Sequence, residues 1–515
     1  MPIIREKLKF MFIISILYFW GGRKMRNSIK TGLVIGIILI FIGMGTNSAI
    51  SNIILENRSQ PTEVFIDDDY DETTHGWGYD HFDNIQYGLD NVTDYGMVHI
   101  YEGSYDVFKV QGRVNIIIES VDTVKPIIQG SQNVMDYTLN PPALVKCVVF
   151  IDNSFNIVLQ ELNIQGIGLT GRSYAVFFNG STGSVEECNI SPNQRGNMNS
   201  LGIRAQWDTT LSIDNCTILN YGRIGIYGRT GSIMDIYRNT IVGQIYTDGD
   251  GDFVSYGIEV EDLTTTSYAT IRYNEIYNHD HTGNPTWSSA AIIIDAWRYY
   301  QQTQDNCTAI IEYNDIHDNM LGLQIVPNEN INVNFNKIYD NREFGAVSDP
   351  YWDGTTYVYV DLDAVNNWWG DATGPYHPSE NPDALGNEVT DYVIFSPWLA
   401  DYLPGITITN PLEGFLYFNF LDLVEFKIPF ITNLIIGKND VEAEATRGIF
   451  DIDRVEFHID DQLKNIDENE PYEWTWDEQT PFFQYTIKTV VYDIEGNFRS
   501  DEIKVLKSQY IKIES

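Results

Sequence analysis

A chain of 515 residues with 43% hydrophobic and 13% aromatic content is a folded protein, too rich in apolar residues to be disordered. It is too long for one ordinary domain, although a solenoid can grow along its axis. A formal net charge of −40 argues against nucleic acid as a partner, because phosphate binding needs a basic face, and suits a solvated exterior, divalent cations and neutral or cationic partners.

The first 49 residues read as a targeting region. Phe10 to Trp20 is apolar, Arg23, Lys24, Arg26 and Lys30 follow, and a second apolar run covers Gly32 to Met44. A start at Met25 would give a standard secretory signal ending in small residues near Ala49. An uncleaved anchor is the alternative, and would be the chain's one link to a membrane, but the second run is short for a span of about 20 residues. Secretion or display on the cell surface is therefore expected. Six N-x-S/T sequons, at Asn57, Asn91, Asn179, Asn189, Asn215 and Asn306, are candidate glycan sites in an exported chain.

From Thr62 a fold begins. Val64 to Ile66 reads as a strand; Phe82, Ile85, Leu89 and Val92 then fall at near-helical spacing. A short amphipathic helix there would cover the open end of a solenoid, whose bare strand edges need a cap. Val98 to Tyr101 and Gly103 read as the first coil strand and its turn.

The middle of the chain repeats one phrase: a short strand closed by Asn-x-Ile. Ile236–Ile241, Ile271–Ile276, Ile310–Ile316 and Val333–Ile338 carry Asn239, Asn274, Asn314 and Asn336; Cys188 and Cys216 take the Asn slot in two earlier copies, and Leu162 takes it in the first. The closing isoleucines are 164, 190, 218, 241, 276, 316 and 338, with a shortest spacing of 22 residues and variable insertions. Period-2 alternation without helical periodicity makes each copy one coil of a parallel β-helix. Coils stack about 4.8 Å apart, so the asparagines would form a self-satisfying amide column. Cys188 and Cys216 would stack as core thiols or as a disulfide between coils. A second strand type is marked by Gly202-Ile203, Gly225-Ile226, Gly257-Ile258, Ala291-Ile292 and Gly322-Leu323, the small residue suiting a sharp corner.

Asn366-Asn367-Trp368-Trp369-Gly370 and Ser396-Pro397-Trp398 read as a closing cap, with tryptophans exposed for sugar stacking as the alternative. Tyr402 to Gly405 reads as a linker. Over 405–507, about seven short alternating strands (406–409, 415–418, 441–445, 454–459, 474–476, 485–492 and 502–505) predict a small Ig-like β-sandwich, without the disulfide of antibody domains. The expected organisation is an all-β chain with a right-handed parallel β-helix over 62–400 and this sandwich.

The opening Ile100-Tyr101-Glu102-Gly103-Ser104-Tyr105 resembles the entrance to pectate-lyase-like β-helix proteins, and the Asn-x-Ile copies resemble the repeats of polysaccharide lyases, glycosidases and NosD-type periplasmic proteins. The cap and the appended strands resemble those of archaeal and bacterial surface β-helix proteins. The resemblance covers roughly 62–400. It implies the fold and carries no complete catalytic signature.

Aligned on the second strand type, one outward column reads Arg204, Tyr227, Glu259, Ile293 and Gln324, and the next reads Gln206, Arg229, Glu261, Asp295 and Val326. Glu259, Glu261 and Asp295 with Arg229 form the candidate catalytic cluster, as acid and base of a glycosidase or as part of a lyase site. Asp248, Asp250 and Asp252 form an oxygen-rich Gly loop of the kind that takes Ca²⁺, the one cofactor suggested, though without a complete calcium-loop pattern. Tyr277, His317 and Tyr339 would stack as a sugar-binding ring column with His279 nearby, or the histidines would hold a transition metal. These features favour binding of a polysaccharide or surface glycan. Cleavage by a lyase or hydrolase, and a purely structural envelope role, are the alternatives. The fold cannot separate them.

Overall fold

The structure, a computed structural model, describes residues 59–508 apart from 138, 140, 168, 170, 195–198, 247–253, 262–264, 283–287, 295–306, 329, 421–423 and 430–432. The expected targeting region, the Asp248/Asp250/Asp252 loop, Asp295, Asn57 and Asn306 therefore lie outside the described residues. Among the described residues, no helix is long and apolar enough to cross a membrane.

Three long sheets, of 11, 9 and 10 strands, build a parallel β-solenoid. Each coil contributes one strand to each sheet in turn. The coil that opens at Ile233–Tyr237 continues through Thr240–Val242 to Tyr256–Glu261. The isoleucine column is the register of the second sheet: Ile164 pairs with Ile190, then Ile218, Ile241, Ile276, Ile316 and Ile338 in succession. It runs further up than the repeat suggested, to Ile128 and Tyr105. Every isoleucine in it is fully buried, so the column is the spine of the main core.

The corner between first and second sheets is closed by the amide ladder. Asn314 Oδ1 accepts from the backbone N–H of Asn274 at 3.0 Å, and Asn336 and Asn367 repeat the bond one and two coils on. Cys216 and Cys188 carry it upward through sulfur, each Sγ accepting the N–H of the coil above at 3.4 Å. Both thiols are free, which sets aside the disulfide alternative. Leu162 accepts nothing, and the residue above it explains why. Asn163 pairs with Ile127, so Leu162 lies under Pro126, which has no N–H to satisfy. A second ladder, His279–Asn319–Asn341–Asn387, closes the next corner, and hydroxyls of Ser154, Ser181 and Thr209 line the third.

The small residues of the third sheet do not turn the chain. A Cβ on Gly225 would lie 2.6 Å from the Gly257 carbonyl oxygen and 3.0 Å from a methyl of Ile241. They are small because neighbouring coils and the isoleucine column leave no room.

The helix Ile85–Asn91 starts at Asn84, whose Oδ1 accepts from the N–H groups of Gln86 and Tyr87, and it buries Ile85 and Leu89 over the first strands. At the other end Trp369 is fully buried and plugs the core.

Beyond it, a three-stranded and a seven-stranded sheet share a separate core around Trp476, Phe457 and Val491. The strands expected there are present. Val424–Pro429, Leu434–Ile436 and Gln462–Asp467 are additional, and Leu434–Ile436 pairs in parallel with both its neighbours. The expected linker is packed: the Tyr402 ring lies 4.9 Å from Trp368, and its carbonyl accepts from Ile449. Phe450 then stacks on Tyr273 and Tyr313 at 5.8 and 5.6 Å, while the Arg447 guanidinium covers Phe335. These three rings occupy the corner position before each ladder asparagine. That position is left-handed in successive coils, with φ of 59° at Tyr273, 60° at Tyr313 and 56° at Phe335. Aromatic residues rarely adopt this conformation, and the module's ring and guanidinium offset the strain.

Candidate functional site

The outer face of the third sheet carries a second apolar cluster, including Phe150, Phe177, Leu201, Ile224 and Ile293, and one cleft of about 310 Å³. Four successive strands line it: Ser173–Asn179, Ser200–Gln206, Ile224–Arg229 and Tyr256–Glu261. The register matches the columns read from sequence: Arg204 beside Tyr227 beside Glu259, and Gln206 beside Arg229 beside Glu261. Strand alternation places both columns outward, while Ile226 and Ile258 point into the core.

Arg204 is the fixed point. Only 3% exposed, it donates through Nε to Gln206 Oε1 at 2.8 Å and lies 3.6 Å from Asp136 Oδ2. The rings of Tyr174 and Tyr227 flank its guanidinium carbon at 5.1 and 4.8 Å. Asp136 comes from a strand, Gln132–Asp136, that turns back antiparallel onto the third sheet, and it also accepts from the Tyr174 hydroxyl at 2.9 Å. Glu261 accepts from the Tyr227 hydroxyl and lies 3.5 Å from Arg229 Nε. Arg172 and Arg223 complete the lining, with the Arg223 guanidinium 5.7 Å from the Tyr256 ring.

Glu259 differs from its neighbours. It is 1% exposed, lines the cleft, and among the described residues its Oε2 has no hydrogen-bond partner. Burial pushes its carboxyl up to about 8; Arg223, Arg229 and Arg204 oppose the shift and Glu261 adds to it. A charge buried without a hydrogen bond is costly, so the group stays neutral near pH 7. Burial, and then Glu261, likewise push the Tyr227 phenol well up. With Glu259 neutral, four guanidiniums face Glu261 and Asp136. The cleft is net positive in a chain of formal net charge −40.

Glu259, Glu261 and Arg229 thus come together as the sequence grouping placed them, while Asp295 lies outside the described residues. Arg172, Arg223, Tyr174 and Asp136 were missed. The gathering of Arg172, Arg204, Arg223 and Arg229 within 58 residues of an acidic chain was the available signal.

The ring column also forms. Tyr277 and His317 stack at 5.3 Å, His317 and Tyr339 at 5.1 Å, and Trp368 follows at 5.3 Å. His279 does not join it. It is fully buried, its Nε2 accepting from Tyr221 and its Nδ1 donating to Asn319 Oδ1, and burial pushes its pKa down to about 4. Its neighbours diverge as well, Asp280 pairing with Arg342. Among the described residues, no group of three or more His, Cys, Asp or Glu is placed to hold a metal ion. Of the sequons, Asn215 is exposed at a corner, Asn91 donates to Tyr87 O, Asn179 is engaged by Asp152 and Gln206, and Asn189 is half-buried in a second-sheet strand.

No family model and no curated protein match this chain. Among solved structures, the fibronectin(III)-like modules of Clostridium thermocellum CbhA are similar at 19% identity, with a TM-score of 0.17, over 23% of this chain and 53% of theirs. The match thus spans about half the length of that structure.

Proposed function

We propose that this protein is a secreted or surface-displayed glycan-binding protein that takes its ligand in the third-sheet cleft. The observation that carries the reading is Arg204, buried between two tyrosine rings and flanked by three more arginines on a strongly acidic chain. A buried arginine held by a carboxylate and an amide between tyrosine faces suits recognition of a polar, ring-shaped ligand. The volume lies at the low end of small-molecule sites, about 300–1,000 Å³. It suits a terminal sugar unit or side group more than a long stretch of polymer. The half-buried ring column from Tyr277 to Trp368 would give a second contact. The C-terminal module, read as an Ig-like sandwich, would serve as spacer or attachment.

Cleavage is the second reading, favoured by a neutral Glu259 two residues along the strand from Glu261, a pairing of acid and carboxylate that glycoside cleavage uses.

The test is retention of the full chain on immobilised acidic and neutral polysaccharides, with release of reducing ends and unsaturated products followed in parallel. Retention that Arg204→Ala abolishes, without products, supports binding. Products lost in Glu259→Gln would replace it with catalysis. No retention by a folded chain would refute the proposal.

A further inference from the structure

The unpartnered carboxyl of Glu259 specifies more than a polar ligand. A neutral carboxyl group has one O–H donor, and burial forbids water from satisfying it cheaply. Among the described residues nothing accepts a proton carried on Oε2, which is buried without a hydrogen-bond partner. The charged and titratable groups facing it are Arg204, Arg223, Arg229, Glu261, Tyr227 and Tyr256. The arginines are donors only. Glu261 accepts from the Tyr227 hydroxyl and lies beside Arg229 through the same oxygen, Oε2, rather than accepting from Glu259. The cleft thus gathers donors around a small volume, and no described residue accepts from Glu259 Oε2.

This inference rests on the glycan-binding reading above. We propose that the missing acceptor is an oxyanion carried by the bound sugar, a carboxylate or a sulfate ester, and that Glu259 recognises it as a neutral hydrogen-bond donor set among the arginines. Glu259 is then a specificity residue. Uncharged, it completes the anion's shell; ionised, it repels the same anion at contact distance. The arginines stay charged across the accessible range, and burial holds the phenols of Tyr227 and Tyr256 above their ordinary values, so neither opposes this behaviour.

The full chain is titrated with glucuronate, glucose 6-sulfate and glucose at about pH 6 and about pH 9.5, followed by calorimetry or saturation-transfer NMR. Expected are binding of one or both anionic sugars, at least about tenfold tighter than glucose, and a loss of about tenfold or more at the higher pH. Glu259→Gln, neutral at every pH and still a donor, should bind the anions with one affinity at both. Comparison of the two anionic sugars identifies whether carboxylate or sulfate is the better acceptor.

Glucose bound as tightly as its anionic relatives would overturn the oxyanion assignment while leaving glycan binding standing. Anion binding by the wild type that does not change between the two pH values would overturn the role of Glu259, and needs no variant. No binding of any of the three, by chain whose melting shows it folded, overturns the oxyanion proposal; retention on polysaccharide columns then decides separately whether glycan binding survives.

Discussion

Replacing Asn314 by alanine removes one rung of the amide ladder, and the cost can be counted from its bonds. Asn314 Oδ1 accepts from the backbone N–H and the side-chain amide of Asn274, and its Nδ2 donates to Ile271 O, Glu312 O and Asn336 Oδ1, all at 2.8–3.0 Å. Alanine strands the Asn274 backbone N–H in the core, while the Asn274 amide keeps Ile236 O and Arg272 O and Asn336 keeps the residue-314 backbone N–H. One group is left unpaired outright and another weakened, at about 1–3 kcal/mol each, so with the void the loss is roughly 2–5 kcal/mol. Cysteine provides the internal comparison, because Cys216 already fills this slot, accepting from Cys188 N at 3.4 Å and donating to Val185 O at 3.4 Å. Asn314→Cys should therefore cost about 1–2 kcal/mol, and Cys216→Asn should be neutral or stabilising. Urea unfolding gives the ranking. Amide exchange at Asn274 locates it, since a solenoid opens locally rather than as one unit. Equal losses in the alanine and cysteine variants, or an alanine loss below about 1 kcal/mol, would refute the claim that the ladder works by satisfying the N–H above it.

Other consequences are open to measurement. His279 is held neutral in the core: its pKa is depressed to about 4 from 6.5, so stability is present above about pH 6.5 and falls away toward pH 4, by roughly 3 kcal/mol. His279→Asn, which keeps a ladder residue, should flatten that acid limb in melting curves, and an unchanged limb would contradict the assignment. Glu259 has the opposite sign: its raised carboxyl contributes full stability only below about pH 4.5 and loses it as pH climbs through about 8. The melting temperature of Glu259→Gln relative to wild type should thus rise between about pH 5 and pH 9. Phe450→Ala removes two ring stacks worth about 0.5–1.5 kcal/mol each. It should loosen the C-terminal module, seen as a larger radius of gyration in solution scattering; an unchanged radius would show that the remaining contacts suffice.

The solenoid was legible because its repeat is chemical as well as statistical. An apolar residue at a fixed offset from an amide-bearing one states both which face is inside and where the chain turns. For that reason the isoleucine spine and both outward columns of the third sheet could be aligned before any coordinates. The cleft was only half legible. Glu259, Glu261 and Arg229 lie on aligned strands, but Arg172 and Arg223 lie just before strands, where insertions vary, and Asp136 arrives on an antiparallel strand outside the repeat. His279 was misplaced because a histidine followed by Asp and His reads as a polar turn, whereas its backbone sits in a corner ladder that takes any side chain able to pair with Asn319. Leu162 looked like a degenerate copy; the proline one coil above shows it to be a consistent one.

Two departures from the repeat, among those in the described residues, bear on how the scaffold is used, and the three-sheet section sets them apart. At the corner between first and second sheets, aromatic residues take a left-handed conformation that successive coils give to Glu, Asn or Arg. Stacking with Phe450 and cover from Arg447 supply the compensation. On the outer face of the third sheet, the buried Arg204, the half-buried Arg229 and an unpartnered carboxyl replace the apolar residues found further along the same columns, such as Ile293. There the compensation is incomplete, since Glu259 remains unsatisfied. In a solenoid of three sheets, a corner between two of them faces away from the third. The module is therefore fastened to the back of the scaffold, and the face with the unfinished hydrogen bonding is left clear. Strain at the corner is met by contacts within the chain and belongs to the architecture; the polar deficit at Glu259 is met by nothing in the described structure, and its position in a cleft among arginines is the physical ground for placing the ligand there.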